Sequence, residues 1–571
     1  MAKFETTGLA RGVIAFIVVG LIGSVAWNLY GKDKLASMRS GAAPVAVAPE
    51  SAGAGGGAGA GAGAPVQSTP VRVASASKAL GSAANPLRVS IVSFHGYGPA
   101  LVANGNSLTT QPGSMYDKLG LHVEFVINDD VPTLTTLFES KSAQCAWRTS
   151  DFWAQEQPNL RNNQLDAKGL LIVDNTRGAD AVIVRDPSIT SIEGLPGKQV
   201  AFLQYSPSHG LLTYATDNSS LTARDKKRIK HVYIKTEEGT AGVRAAFVSG
   251  SVDAAVLWDA DLSLALKAVP GSRVVYSTET ATNLIYDLMV CNQAELAKPE
   301  NEEVFQRFVD GWLEGVTYSL ANQDQVVDAL IATEPVYKAL ATQNGKPFIK
   351  GLFKNLLWTD LANNARILGL AGGTNHYERV YATFDQIYRA EGALANPKSP
   401  VVAPQDSFDY RFIKKALARS AEAKAVAARP VEVYTEKDRA AAMAAPAVVT
   451  KPVLVTFNSG SADLSKRAQA VIDKEMVPFI ESNDKAYIEI SGNTDSVGSA
   501  AANRALSQQR ANSVLEYLSS QWNFSRARFR VVGAGSSRPL CDEGNPAAAE
   551  LSLDDCRALN RSTRLAIFSG K

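Results

Sequence analysis

Apolar and polar positions divide the chain into stretches of different period. Leu87-Arg-Val-Ser-Ile-Val alternates and runs into Ser93-Phe-His-Gly-Tyr-Gly-Pro-Ala, which predicts a strand ending in a Gly/Pro turn. Leu121-His-Val-Glu-Phe-Val and Gln144-Cys-Ala-Trp predict a second and a third strand. With helical segments between them, these strands suggest a doubly wound parallel sheet. A second set begins at Ala181-Val-Ile-Val and continues through Gly197-Lys-Gln-Val-Ala-Phe-Leu-Gln-Tyr. A helix then opens with Ser206 as its N-cap and Pro207 in its first position. Such a start, at the carboxyl end of a parallel strand, offers N–H groups and a favourable field to an anion. Gly242 to Asp259 reads as one more helix–strand unit. After Pro397, Phe408-Asp-Tyr-Arg-Phe-Ile predicts a helix that continues through alanine-rich sequence to Ala428. Near the C-terminus, Tyr487 to Ile490 alternates as a strand, and Asn493-Thr494-Asp495 with Gly498 supplies a turn. Leu506, Val514 and Leu518 then follow at helical spacing. This places a carboxylate on a turn and Arg510 on the next helix. Asp495 can hold an ammonium and Arg510 can grip a carboxylate, so a ligand carrying both groups suits the pair.

Two stretches upstream have neither period. Gly12 to Tyr30 is apolar, ends in Trp27 and Tyr30, and is just long enough to span a bilayer. An uncleaved anchor is favoured over a cleaved leader, because the nearest Ala-x-Ala, Ala46-Val-Ala48, lies far past the run and before Pro49. The flanking Lys3 and Arg11 against Lys32, Lys34 and Arg39 do not orient the span. From about Gly41 to Asn85 the chain is Ala, Gly, Pro, Ser and Val with almost no charge, a tether that cannot bury enough to fold. Its relaxed span is roughly 35–40 Å, so the next domain is expected to roam from the membrane.

The C-terminal stretch resembles the OmpA-like peptidoglycan-binding domain. Thr494, Asp495, Gly498, Asn503, Leu506, Ser507, Arg510, Ala511 and Val514 fill that family's pattern in register, from about Val453 to Phe568. The resemblance implies that Asp495 and Arg510 bind the free amino acid end of diaminopimelate in the wall stem peptide. Thr494, Asn503, Leu506 and Arg561 are the implied supporting residues. Where the family usually shows Asn-Arg-Arg, this chain reads Asn560-Arg561-Ser562-Thr563-Arg564. Cys541 and Cys556 share one loop, in which some members carry a cystine, and are the expected disulfide. Cys145 and Cys291 sit in apparent buried strands and are expected as free core thiols. A wall-binding C-terminus orients the span with its N-terminus inside. Flagellar-stator proteins share this layout but need an intramembrane carboxylate. The span here has none.

The middle of the chain resembles the periplasmic substrate-binding proteins of ABC importers, in the branch that takes sulfonates, nitrate and thiamine precursors. Gly96-Tyr97-Gly98-Pro99, the Lys198-to-Phe202 strand with Ser206-Pro-Ser-His209, and Ala246-Phe247-Val-x-Gly250-x-Val-Asp253-Ala-Ala-Val-x-Trp258 carry the likeness. It implies two lobes closing on a ligand, with Tyr97, Ser150, Asp151, Ser206, Ser208, His209, Trp258 and Asp259 lining the cleft. The first loop has Phe94 where the family often has Trp.

Composition narrows the function. The chain has 571 residues, a net charge of +2 and 46% hydrophobic content, so it reads as ordinary globular domains and not as a nucleic-acid binder. Its five histidines form no His-Glu-x-x-His, and no Cys-x-x-Cys or Walker loop is present, so neither a metal, a cofactor nor an enzyme activity is expected. The expected architecture is α/β and multidomain, a two-lobed periplasmic-binding-protein fold plus a small α+β OmpA-like domain behind one transmembrane helix. The parts are a cytoplasmic tip and anchor (1–31), a flexible linker (32–85), the binding domain (86–397), a helical and Ala/Pro-rich connector (398–450) and the wall domain (451–571). Lobe I is expected at 86–180 and 283–397, and lobe II at 181–282. The whole reads as an inner-membrane, single-pass protein with its bulk in the periplasm of a Gram-negative bacterium. It would attach to peptidoglycan and bind a small anionic organic solute for transport or sensing, with an ABC permease or another envelope protein as partner. The alternative is a structural tether whose middle domain is a ligand-free spacer.

Overall fold

The structure is a computed structural model and describes residues 79–129, 134–235, 238–394, 396–429, 434–458 and 460–569. The expected anchor at 1–31, and the linker as far as residue 78, lie outside the described residues. No helix among the described residues is long and apolar enough to cross a membrane.

Among the described residues, fifteen strands form three sheets. The first sheet uses β1 (Leu87–Ile91), β2 (Val123–Ile127), β3 (Cys145–Thr149), β4 (Ala167–Thr176), β10 (Tyr286–Asn292) and β11 (Leu356–Trp358). Their order is β11-β4-β10-β3-β1-β2. The second uses β5 (Asp180–Val184), β6 (Gln199–Leu203), β7 (Lys230–Ile234), β8 (Ala254–Trp258) and β9 (Arg273–Ser277) in the order β7-β6-β8-β5-β9. β1 and β5 are buried at every position, as strands covered on both faces must be. The expected all-parallel winding is corrected. β1 pairs in parallel with β2 and β3, but β10 runs antiparallel to both β3 and β4. In the second sheet β5 is likewise antiparallel to β8 and β9. The physical reason is the route of the chain. It leaves the first lobe through β4, builds the second, and comes back through β10, so the return strand opposes its neighbours.

Two crossings join the lobes, one between β4 and β5 and one between β9 and β10. Gly178 N donates to Thr278 Oγ1 at 2.9 Å, and Thr278 N donates to Asp180 O at 3.0 Å, knitting the crossings into one pivot. Asn355, just before β11, accepts at its backbone carbonyl from Arg177 N (2.7 Å) and Ala179 N (3.0 Å).

The return strand also decides the cysteines. β10 sets Cys291 directly opposite Cys145 of β3, and the two are disulfide-bonded with Cα atoms 4.0 Å apart. The expectation of free core thiols is therefore corrected. Partners separated by 146 residues meet only through the antiparallel return, which the local pattern does not show. The expected Cys541–Cys556 bond is present, Cα atoms 5.4 Å apart.

The segment after Pro397 is not a free spacer. Gly169 N donates to Ser407 O at 2.9 Å and Asp409 N to Gly169 O at 2.7 Å, while Phe408 buries its ring 5.2 Å from Tyr377. These residues extend the first lobe. The expected single helix to Ala428 is two, Arg411–Ala418 and Ala421–Ala427. Ser420 breaks the run by capping the second, accepting from Ala423 N at 3.2 Å.

The third sheet comprises β12 (Val449–Val453), β13 (Tyr487–Asn493), β14 (Phe529–Gly535) and β15 (Thr563–Phe568), in the order β12-β15-β13-β14. The helix Ala500–Gln521 lies on β13 and β14. Gly492 permits that approach, since a Cβ there would stand 2.1 Å from the backbone oxygen of Ser507. Gly492→Val is expected to cost about 1–3 kcal/mol by forcing the helix off the strand. An unchanged urea midpoint would refute this close packing.

This C-terminal domain docks on both lobes and on the pivot. From the second lobe, Ile192 N donates to Val448 O (3.1 Å), and Glu193 accepts from Thr450 N (2.8 Å). Tyr276 Oη there donates to Asn483 Oδ1 at 3.0 Å. At the pivot, Asn283 donates to Ser482 O (3.2 Å) and Glu481 O (3.1 Å). From the first lobe, Thr374 donates to Glu481 at 3.2 Å, and Arg379 pairs with Glu481 while its guanidinium lies 5.4 Å from the Trp522 ring.

Candidate functional site

Between the two lobes lies a small chamber of about 30 Å³, with a wider mouth of about 520 Å³ beside it. The first lobe contributes Phe94, Trp147, Thr149 and Asp287 to the chamber, and the second contributes Asp180, Pro207 and Trp258. Trp147 and Trp258 also face the mouth, so the two spaces share a wall. Strand ends explain the placement. Thr149 and Thr176 close β3 and β4, Asp180 opens β5, Trp258 closes β8, and Asp287 is the second residue of β10.

The chamber wall is acidic. Asp287 accepts from Tyr97 Oη at 3.0 Å, and its register partner across the ladder is Asp174. Asp174 is fully buried, and neither of its carboxylate oxygens has a hydrogen-bond partner. Burial, then the charges of Asp287 and Asp180, push the Asp174 carboxyl well above the usual range. Burial does the same to Asp180, and it raises Asp151 to about 6. No lysine, arginine or histidine is among the described residues that line the chamber.

The eight expected lining residues separate into three groups. Trp258 lines both chamber and mouth, and Asp259 lines the mouth. Asp259 is already engaged, accepting from Ser263 N (3.0 Å), Ser263 Oγ (2.6 Å) and Asn355 Nδ2 (2.6 Å). Tyr97, Asp151 and Ser208 stand buried outside the lining, with Tyr97 orienting Asp287 and Ser208 Oγ lacking a partner. Ser150, Ser206 and His209 serve the scaffold. Ser150 Oγ accepts from Tyr286 N (3.1 Å), and Ser206 Oγ donates to Leu203 O (2.8 Å). His209 stacks on Phe202 at 5.2 Å and is lowered to about 4 by burial, hence neutral.

The helix Pro207–Asp217, expected to attract an anion, has a carboxylate of this chain beside its first turns. A Cβ on Gly210 would stand 2.3 Å from Asp151 Oδ2. Sequence reasoning missed Phe94, Trp147, Thr149, Thr176, Asp180 and Asp287 as lining residues. A signal existed for the acids: Asp174, Asp180 and Asp287 each directly flank an apolar run within a buried strand, and buried carboxylates are uncommon without a role.

Asp151 gives a pH prediction. Its folded pKa of about 6 lies above the ordinary 3.8, so the folded state keeps a proton that the unfolded chain sheds. Its contribution to stability is full below about pH 4 and is lost as pH rises through about 6. Asp151→Asn is therefore expected to gain on the wild type between about pH 4 and pH 8, by roughly 3 kcal/mol at most. Urea titrations of both proteins at the two pH values check this, and an equal gap at both would refute it.

The second candidate site lies on the C-terminal domain. Thr494 is buried and its N–H donates to Gly535 O at 2.9 Å, so the turn is fixed to the end of β14. Asn503 Nδ2 donates to Val497 O at 3.0 Å and closes the turn from the helix side. Leu506 is half-buried on the same helix. Asp495 pairs with Arg561 Nη1 at 2.6 Å. Arg510 donates from Nε to Ser461 O (3.1 Å) and from Nη2 to Asn458 O (3.3 Å), with its guanidinium 5.0 Å from the Phe457 ring. Burial and the nearby charge of Arg561 lower the Arg510 pKa, and Asp495 offsets part of this. The three charged groups thus lie within electrostatic reach of one another, with no direct bond between Asp495 and Arg510. Glu543 ties the disulfide loop to this turn, accepting from Ser496 N at 3.1 Å and from Asn560 Nδ2 at 3.0 Å.

Comparison with known proteins finds a similarity for each part. Residues 456–551 match the model of the OmpA family, and residues 115–326 match the NMT1/THI5 like model. Outer membrane porin F of Pseudomonas aeruginosa is 33% identical over 114 residues, which are 20% of this chain and 30% of that protein. Outer membrane protein A of Atlantibacter hermannii is 32% identical over 118 residues, 20% of this chain and 47% of that protein. The match thus spans less than half of either curated relative. The crystal structure of the periplasmic aliphatic sulphonate binding protein SsuA from Escherichia coli covers 58% of this chain and 99% of its own, at 16% identity and a TM-score of 0.44. Two segments of this chain are thus similar to known families, residues 115–326 to the NMT1/THI5 like family and residues 456–551 to the OmpA family.

Proposed function

We propose that this is a periplasmic envelope protein that closes two lobes on a small organic solute and holds the cell wall through its C-terminal domain. The observation that carries the reading is the chamber at the pivot, to which both lobes contribute side chains. Closure about two knitted crossings is the working step. The OmpA-family segment and the Asp495, Arg510 and Arg561 cluster support wall attachment, with Asp495 taking the ammonium and the arginines the carboxylate of a stem peptide. Two disulfides accord with an oxidising compartment. In this reading the apolar run 12–30 anchors the chain in the inner membrane, and the occupied form addresses a permease or a signalling partner. The chain acts as a binder and not as a catalyst. An anionic solute, favoured by sequence, is at odds with the carboxylates on the chamber wall.

A chamber of about 30 Å³ holds roughly one water, and this favours a second reading in which the middle domain is a ligand-free spacer. Native mass spectrometry of residues 79–571, purified with nothing added, separates the two. A discrete mass released on denaturation is expected. A bare chain whose melting temperature ignores panels of organic cations and anions leaves the spacer.

A further inference from the structure

We infer that the interlobe cleft takes a small organic cation, an amine or a quaternary ammonium, seated in the mouth between Trp147 and Trp258, where the mouth meets the chamber that holds Asp180 and Asp287. The inference rests on the cleft being a binding site and specifies its ligand.

Three independent features support it. The first is the charge of the walls. Asp180 and Asp287 line the chamber, from the second and first lobes respectively. The mouth adds Asp129, Glu238, Asp259 and Asp261. Arg244 is the one cation among the described residues lining either space, and it is tied to Asp261 at 2.7 Å. An anion entering here would meet further carboxylates at both depths, whereas a cation would relieve their mutual repulsion.

The second feature is Asp174. It is fully buried beside Asp287, in the register pair of β4 and β10, and neither oxygen has a hydrogen-bond partner. A buried carboxylate is ordinarily paired or hydrogen-bonded, since its desolvation is otherwise uncompensated. The protein supplies no partner for Asp174, and a cation at the chamber wall provides one electrostatically. Tyr97 meanwhile fixes Asp287 from behind, with its hydroxyl donating at 3.0 Å.

The third feature is aromatic. Trp147 from one lobe and Trp258 from the other line both the mouth and the chamber, and Phe94 lines the chamber. Aromatic faces attract cations through the ring quadrupole, and walls of this kind are the ordinary means of holding a quaternary ammonium that cannot donate hydrogen bonds. Because the rings belong to opposite lobes, closure completes the cage, and the bound cation in turn holds the lobes together.

The test uses the full chain. Tetramethylammonium and n-butylammonium are titrated calorimetrically beside the neutral isostere tert-butanol and the anions methanesulfonate and butyrate, and any co-purified molecule is released for mass spectrometry. The expected result is binding of at least one cation, tenfold or more tighter than tert-butanol, or release of a cationic molecule. Asp287→Asn and Asp180→Asn should each weaken that binding tenfold or more without lowering the melting temperature. Both variants replace a buried carboxyl by an amide of the same shape, so a fold defect would be visible as a lower melting temperature and is not the expected effect. Binding or release of an anion, or cation binding that survives both variants, overturns the cation assignment and leaves the binding reading in place. If nothing binds and nothing is released, both fall.

Discussion

Arg510→Ala is expected to abolish co-sedimentation of the chain with purified cell wall, and Asp495→Ala to do the same. Arg510 is preorganised: Ser461 O and Asn458 O hold two of its nitrogens, and Phe457 lies under its guanidinium. A ligand carboxylate therefore meets a fork whose side-chain freedom is already spent, which is where charge-assisted bonds are strongest. Losing one member of such a pair typically costs about 2–5 kcal/mol, roughly 30-fold to several thousand-fold in affinity. Asp495→Ala acts twice. It removes the carboxylate that takes the ammonium, and it leaves Arg561, now 2.6 Å from Asp495, as an unpaired positive charge facing that ammonium. Circular dichroism of each variant should match the wild type, since both side chains are only half-buried and neither belongs to the domain core. Undiminished sedimentation of both variants would sink the wall assignment.

Cys145→Ser with Cys291→Ser is expected to destabilise the protein by about 2–5 kcal/mol, and by more than Cys541→Ser with Cys556→Ser. The difference follows from what each bond closes. Cys541–Cys556 ties a separation of 15 residues, whereas Cys145–Cys291 ties one of 146 that contains β4 and every strand of the second lobe. In the chain-entropy account the cost of the open loop rises with the logarithm of its length. Thermal unfolding of the two double variants, each beside wild type with and without reductant, reads the order directly. The reverse order, or no fall for the first pair, would show that the long loop is constrained by other contacts in the unfolded chain.

What the sequence made legible was local. Strands β1, β3, β5 and β13 sit where apolar runs and alternation placed them, and the turn at Asp495 follows from Asn493 to Gly498. Cys541 and Cys556 share a short loop, so their bond could be anticipated. What stayed hidden depends on return paths. The antiparallel β10, the disulfide it creates and the burial of Phe408 against the first lobe all join residues far apart in the chain, and no local period encodes them. The cleft was hidden for a further reason. Likeness of the loops drew attention to Ser206, His209 and Asp259, which the protein uses in its own hydrogen bonds. The acids on the wall lay inside strands that scan as core, and only the meeting of β4, β5 and β10 shows Asp174, Asp180 and Asp287 as neighbours.

The docking of the C-terminal domain changes how the chain would carry load. A flexible connector would isolate the lobes from the wall, as a slack rope isolates a float from its mooring. Here Glu481, Ser482 and Asn483 are bonded to Asn283 and Tyr276 at and beside the crossings, and Glu481 also reaches Thr374 and Arg379 of the first lobe. On the proposed wall attachment, tension arriving through Asp495 and Arg510 would enter at the joint between the lobes. Mooring and hinge pin would then be one assembly, and stretching of the wall and opening of the jaw would draw on the same few hydrogen bonds.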